Sequence, residues 1–439
     1  MYKADQLISL LSDRHILIAG YGREGKSSHN LLQKLLPDCH PDIANNDQEI
    51  TQLLQQASQP YDLIIKSPGI PTMKFEGLCN LDTITSQTDL FLQVYHDLVI
   101  GITGTKGKST TTTLIHHVLE HAYGNSRHVI LAGNMGIPLF DILDQITPDS
   151  LIVTELSCHQ LENIHRAPHI GVILNLFQEH LDHYHSYHDY QMAKMQMMLQ
   201  QQAGDHCFYC TDSNDLVRMV KPFLSTVATT LHPYALQDAR QARMESLPSS
   251  LKGDHNLSNI FVARQMCALV GVTDGQFAEA LASFQGLPHR LELVGTYCGI
   301  TFYNDSISTI PQATIAALKA LHNVDTLILG GYDRGIDYST LENFFISLSQ
   351  TGQPIRNMAF VGEAGRRMHS DLSLMCQHPL DHSDAVLIED DYNKIVDWCF
   401  QVTTPGKICL LSPAAASYDS FKNFEERGNT FCKLVRNHQ

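Results

Sequence analysis

The chain of 439 residues has a single Trp and few charged residues, 17 % of the total. Positive charge is scarcer still, with 30 Lys and Arg against 46 Asp and Glu, a formal net charge of −16. That balance makes the chain a poor candidate for a nonspecific nucleic-acid binder, which needs a basic face. It leaves room for phosphate ligands, which one loop can hold in an acidic protein. No apolar run reaches 18 residues, so no transmembrane helix is expected. The first 15 residues, MYKADQLISLLSDRH, lack the pattern of a signal peptide. Internal repeats and low-complexity tracts are also missing; the Gln clusters at 52–56 and 200–202 read as solvated helix faces.

Hydrophobic residues make up 43 %, enough for several cores, and length alone suggests roughly three domains. The 11 Cys are scattered and odd in number, which reads as free thiols in a reducing compartment. The one CxxC, Cys207 to Cys210, has no second pair and is expected to be a strand with two packed thiols rather than a zinc or redox site.

Apolar runs alternate with helical stretches along the whole chain. The class expected is α/β with three domains: a Rossmann-like N-terminal domain (1–92), a central P-loop domain with a mostly parallel sheet (93–288), and a Rossmann-like C-terminal domain (289–439). In the first, strand 15–19 (HILIA) leads into Gly20-Tyr-Gly22-Arg-Glu-Gly25 and a helix over 26–36; a second strand, 61–65, leads into Ser67-Pro68-Gly69. GxGxxG between strand and helix suits a diphosphate at the helix start, and it equally suits a tight turn with no ligand. In the second, strands are expected at 98–102, 151–154 and 171–175, with helices running to 121 and over 187–202. Gly286-Leu287-Pro288 punctuates the next boundary, followed by strands at 326–329, 358–361, 385–388 and 408–411.

The strongest local signal is Gly104-Thr105-Lys106-Gly107-Lys108-Ser109-Thr110. Glycine backbone can wrap phosphate oxygens, Lys108 can neutralise them, and the Ser109 hydroxyl can ligate Mg²⁺. The spacing is shorter than GxxxxGK[ST], since Ile102 stands five residues before Gly107. ATP or GTP binding is favoured over an incidental turn. Glu155, at the end of LIVT, is a candidate Mg²⁺ ligand or a plain surface carboxylate; His180, after ILN, is a second candidate in a His-rich stretch. Lys194 lies on a helix among Met192, Met195, Met197 and Met198, where the methionines read as core and the lysine as a snorkelling side chain.

GTKGKST, TELSCHQLE, LFQEHLD, the MAK helix, GDHNLSN, GLPHRLE, NDS and LLSPAAASYDSFKNFEERG occur in this order. Together they resemble the Mur ligase family over nearly the whole chain, and most closely its branch that adds glutamate to UDP-N-acetylmuramoyl-L-alanine. The GTxGKST element alone indicates only the wider superfamily, which includes folylpolyglutamate synthetases; the resemblance makes the shortened loop the family's own form. The resemblance implies an ATP-dependent ligase of peptidoglycan precursor synthesis in the cytoplasm. Its partners are small molecules (the UDP-linked acceptor, glutamate and ATP), with no nucleic acid or membrane, and the chain acts as a monomer. It implies catalytic roles for Lys108, His180 and Lys194. ATP contacts fall on Gly104 to Thr110, Asn256, Asn259, Arg290 and Asp305. Substrate contacts fall on Gly20, Gly22, Ser67, Asn134, Arg334, Ser417 and Phe424. Metal ligands are Ser109, Glu155, His180 and Lys194, the last as a carbamate, giving two Mg²⁺ sites; this reverses the snorkelling reading. The implied reaction runs through an acyl phosphate attacked by the glutamate amine. The chain departs from the pattern at Ile307, where a lysine is usual, and at Arg334, also usually lysine. The resemblance makes D-glutamate the expected amino acid, and these departures make L-glutamate the alternative.

Overall fold

The computed structural model describes residues 1–179, 183–350, 354–375 and 386–438. The chain divides into two compact units: residues 1–249 with 254–284, and residues 250–253 with 285–439.

The first unit holds two sheets. One has strands β1 (Ile16–Ala19), β2 (Asp42–Ala44), β3 (Leu63–Lys66) and β4 (Ile84–Thr85), all parallel, in the order β2-β1-β3-β4. ILIA is buried on both faces, as a parallel strand covered by helices requires. The other has β5 (Val99–Thr103), β6 (Val129–Gly133), β7 (Leu151–Glu155), β8 (Ile170–Ile173), β9 (His206–Cys210) and β10 (Thr230–Tyr234). Its order is β10-β9-β8-β5-β7-β6, again all parallel. From β5 the chain passes to the edge strand β6 and back to β7, then crosses to β8 and steps outward through β9 and β10, so β5 lies where the strand order reverses, the usual place for a ligand crevice. The helix Lys108–Tyr123 starts there. One apolar cluster spans both sheets, with Ile18, Ile65, Phe91, Tyr95, Ile152, Met195, Met197 and Met198.

The CxxC segment is the strand β9, with both thiols buried and free, as expected. At the N-terminal end of β9, His206 Nδ1 lies 3.0 Å from His232 Nε2 on β10, and His232 stacks on Phe208. Beside them Asp205 takes His169 and Arg166, both at 2.9 Å.

The second unit holds β11 (Glu292–Tyr297), β12 (Ile300–Asn304), β13 (Val324–Gly330), β14 (Asn357–Val361), β15 (Val386–Ile388) and β16 (Ile408–Leu411), in the order β11-β12-β16-β13-β14-β15. All pairs are parallel except the β11–β12 hairpin. Separate apolar clusters cover its two faces, one around Leu327, Leu329 and Phe360, the other around Phe302, Ile328 and Phe431. The mostly parallel α/β class is as expected, and the antiparallel edge strand β11 is an addition to it. Among the described residues no helix is long and apolar enough to cross a membrane.

Candidate active site

Gly104 to Gly107 leave the end of β5 and turn directly into the helix at Lys108. The loop is fastened from β8's side. Asn175 Oδ1 accepts from the Thr105 and Lys106 amides at 3.1 and 2.8 Å, and its Nδ2 donates to the Lys106 carbonyl. The Thr105 hydroxyl and Tyr190 Oη are 2.7 Å apart, and the Phe177 amide donates to that same hydroxyl. Lys106 pairs with Glu179. Lys108 Nζ donates to the Gly104 and Thr105 carbonyls, both at 3.0 Å. Burial lowers its pKa, and Glu155 among others works against that shift. Ser109 and Thr110 form the first turn of the helix. A side chain at Gly107 would meet the Asn259 amide at 3.1 Å, so the helix Asp254–Leu269 brings Asn259 against the loop, with Asn256 one turn earlier.

Glu155 ends β7 and is nearly fully buried. Asn134 Nδ2 donates to one of its oxygens at 2.6 Å; the other is buried and has no partner among the described residues. A buried carboxylate oxygen without a donor, near a loop fit for phosphates, suits a hard cation. No cluster of three or more His, Cys, Asp or Glu able to hold a metal exists among the described residues. Mg²⁺ commonly takes one or two carboxylates and draws its other ligands from phosphates and water. His180 lies outside the described residues.

Lys194 is only 1 % exposed, so the snorkelling reading is wrong. Its Nζ donates to the Gly104 carbonyl at 2.9 Å, the same oxygen Lys108 uses, and stands over the Tyr190 ring. Burial, with Lys108 adding to it, brings the lysine down to about 7. At neutral pH such an amine is about half unprotonated and nucleophilic.

In the first sheet, Gly20 follows β1 and Gly22 caps the helix Arg23–Leu35. A side chain at Gly25 would run into the Gly20 carbonyl, so the third glycine of GxGxxG seats helix on strand. The Ser67 hydroxyl donates to the Gly20 carbonyl at 2.8 Å, placing Ser67 beside this turn. Sequence reasoning missed a buried polar network behind it. Glu24 accepts from Gln160 at 2.9 Å, and burial raises its pKa. Lys66 donates to Glu162 at 3.1 Å and to the Ile70 carbonyl.

The second unit gathers the remaining candidates at the ends of β12, β13 and β16. Asp305 accepts from the Leu291 amide at 3.1 Å and from the Ser412 hydroxyl at 2.8 Å; burial raises it to about 6. Arg290 is exposed, between His289 and Leu291, two residues with positive φ of 63° and 45°. Arg334 is exposed, over the Tyr418 ring at 5.3 Å, and pairs with no carboxylate among the described residues. Its neighbour Asp333 is taken by Arg367 at 2.7 Å. Ser417 is buried, and Phe424 opens the helix Phe424–Asn437. Ile307 donates its amide to the His289 carbonyl.

Residues 102–267 match the model of the Mur ligase middle domain. The chain is 32 % identical to UDP-N-acetylmuramoylalanine--D-glutamate ligase of Listeria innocua, over 98 % of this chain and 97 % of that protein. The protein of the same name from Oenococcus oeni is 31 % identical over 97 % and 98 %. This chain belongs to the Mur ligase family. Solved Mur ligases share the fold. MurF ligase from Thermotoga maritima in complex with ADP aligns with a TM-score of 0.54 at 17 % identity, over 98 % of this chain and 99 % of that one. MurC from the same organism aligns at 0.55 and 16 %, over 97 % and 100 %. In this Mur ligase the phosphate loop is fastened by Asn175 and by the contact between Thr105 and Tyr190. Of these three, Thr105 alone stood among the residues expected from the sequence, within the glycine loop; the bracing by Asn175 and Tyr190 was missed.

Proposed function

We propose that this Mur ligase joins D-glutamate to the alanine carboxylate of UDP-N-acetylmuramoyl-L-alanine at the expense of ATP, in peptidoglycan precursor synthesis. The observation that carries the reading is the likeness, at about 31 % identity over almost the entire length, to proteins named for that reaction. The phosphate loop and the buried Glu155–Lys194 neighbourhood agree with it.

A carboxylate is a poor electrophile. One carboxylate oxygen of the acceptor attacks the γ-phosphorus of ATP, ADP leaves, and an acyl phosphate results. The glutamate amine then adds to the acyl carbon, loses a proton, and phosphate departs with the C–O bond. Lys108 exchanges its two loop carbonyls for phosphate oxygens, while the loop amides and Ser109 orient them. Asn256 and Asn259 face the nucleotide, and Arg290 and Asp305 are assigned to it on the family resemblance. Gly20, Gly22 and Ser67 receive the diphosphate of the acceptor, and Asn134 its distal part. Arg334, Ser417 and Phe424 hold the glutamate.

Ser109 and Glu155 would hold Mg²⁺, which would supply neutralisation of charge where anionic groups converge. Lys194 supplies a second anionic ligand once its neutral amine adds to carbon dioxide and releases a proton; burial near pH 7 makes that amine available. His180 completes this second site on the family resemblance alone. The free thiols of all described cysteines agree with a reducing cytoplasm, and we take the working form as a monomer.

The test is ATP-dependent phosphate release with UDP-N-acetylmuramoyl-L-alanine and either enantiomer of glutamate. Release with D-glutamate is expected. Release with L-glutamate alone replaces the amino acid in the reading, as Ile307 and Arg334 would then mark a rebuilt pocket. Release with neither overturns it.

A further inference from the structure

Arg427, in the FEERG stretch, is the largest fully buried side chain described, 1 % exposed. Burying a guanidinium costs several kcal/mol unless its donors are satisfied. Here no carboxylate pairs with it among the described residues. Its donors go to Ser306 Oγ (2.9 Å), the Ser306 carbonyl (2.8 Å), and the carbonyls of Ala415 (3.1 Å), Ala416 (3.2 Å) and Gly330 (3.5 Å). Asp419, exposed, and the Tyr392 phenol are groups whose charge acts on it.

These acceptors lie on three separate segments: the end of β12, the end of β13, and the loop after β16. Arg427 itself belongs to the helix that begins at Phe424. Each segment carries one of the proposed contacts: Asp305 before Ser306, Arg334 after Gly330, Ser417 after Ala416. Further bonds close the arrangement. The Tyr332 amide donates to the Ala416 carbonyl at 2.9 Å, and the Ser306 hydroxyl donates to the Phe424 carbonyl at 2.8 Å. A planar fork with five fixed donors can reach three loops at once; an ammonium cannot.

We propose that Arg427 is a positioning residue for the amino-acid pocket, its buried guanidinium setting the spacing of the loops that carry Arg334 and Ser417 against Phe424. It touches none of the reactants, and the inference rests on the proposed amino-acid site. Asp305 does not depend on it, being fixed by Leu291, Ser412 and its own amide to Leu411.

The test is steady-state kinetics of the full-length Arg427→Lys variant, with each substrate varied in turn. KM for glutamate is expected to rise roughly 10- to 100-fold, as for a binding group displaced by about 1 Å, while KM for ATP and for the UDP-acceptor stays within about twofold. Arg427→Gln, which loses the charge as well, is expected to match it, because the fork geometry lost in both variants sets the spacing. A variant with unchanged KM for glutamate and reduced kcat would show a role in folding alone and overturn the assignment. Equal rises in all three KM values would overturn it too. If Arg427→Lys does not fold, Ser306→Ala removes one fork acceptor and the tie to Phe424 with little volume change; its KM for glutamate is expected to rise about 3- to 10-fold. No rise overturns the proposal. The wild-type protein in the same assay separates the two readings: absence of glutamate-dependent phosphate release there condemns the amino-acid site itself, whatever Arg427 does.

Discussion

Lys194 in the first unit and Arg427 in the second are both cations sealed from water at 1 % exposure. Neither has a carboxylate partner among the described residues, and both bond to loop carbonyls. Their chemistry diverges at the proton. The lysine has one described acceptor, Gly104, and burial brings it to about 7, so it can give up its charge. The guanidinium has five acceptor contacts and keeps its charge at any physiological pH. A buried lysine thus becomes a reactive amine, while a buried arginine becomes a fixed tie. The same burial serves reaction in one unit and shape in the other.

Exchanging the residue types breaks this contrast most severely. Lys194→Arg keeps a cation but cannot form a carbamate, and phosphate release is expected to fall by roughly 10³-fold or more. Lys194→Ala should lose as much and recover in part with bicarbonate or a short carboxylic acid; full activity in either variant would remove Lys194 from the chemistry. Next comes the carboxylate near the lysine. Glu155→Gln is expected to cost roughly 10- to 100-fold and to raise the Mg²⁺ concentration needed for half-maximal rate.

Stability sharpens the comparison further. The folded lysine holds its proton with a pKa of about 7 and the unfolded one near 10.4, so the unfolded chain binds more protons between those values. Stability therefore rises with pH across that window, and the burial penalty is complete below pH 7. In buffer free of carbon dioxide, Lys194→Met should raise Tm by several degrees at pH 6, with the gain fading toward pH 10. Arg427→Met should lower Tm with no such trend. The smallest effect concerns Arg334. Tyr418→Leu removes the ring beneath its guanidinium and should raise KM for glutamate about 2- to 5-fold, with Tyr418→Phe close to wild type.

Much of this was legible in the residues. The runs at 15–19, 151–154 and 408–411 became strands within a residue or so, because each is apolar on both faces and ends in glycine, a polar residue or a turn. The phosphate loop followed from glycine and lysine spacing alone. Short or polar strands were not legible. Asp42–Ala44 is three residues beside Pro41, and ELVGTY in β11 has a half-exposed, irregular pattern typical of an edge. Lys194 read as solvated because a helix lysine among methionines has no local sign of burial. Arg427 gave no sign either, since its acceptors, backbone carbonyls but for the Ser306 hydroxyl, lie 11 to 121 residues away, and any sequence supplies carbonyls.

The histidine pair at the far edge of the central sheet has its own consequence. Two ring nitrogens 3.0 Å apart share one proton comfortably and two at a cost. Burial already lowers both rings below the ordinary histidine value, with His169 opposing protonation of His206 and Asp205 favouring it. Stability supplied by this contact is present above pH 6.5 and lost as acid is added. Part of the acid sensitivity then lies at the rim opposite the phosphate loop, in two side chains with no role in the proposed reaction. Amide exchange in β10 should quicken before that in β5 as the solution is brought below pH 6, so the sheet would come apart from its outermost strand inward.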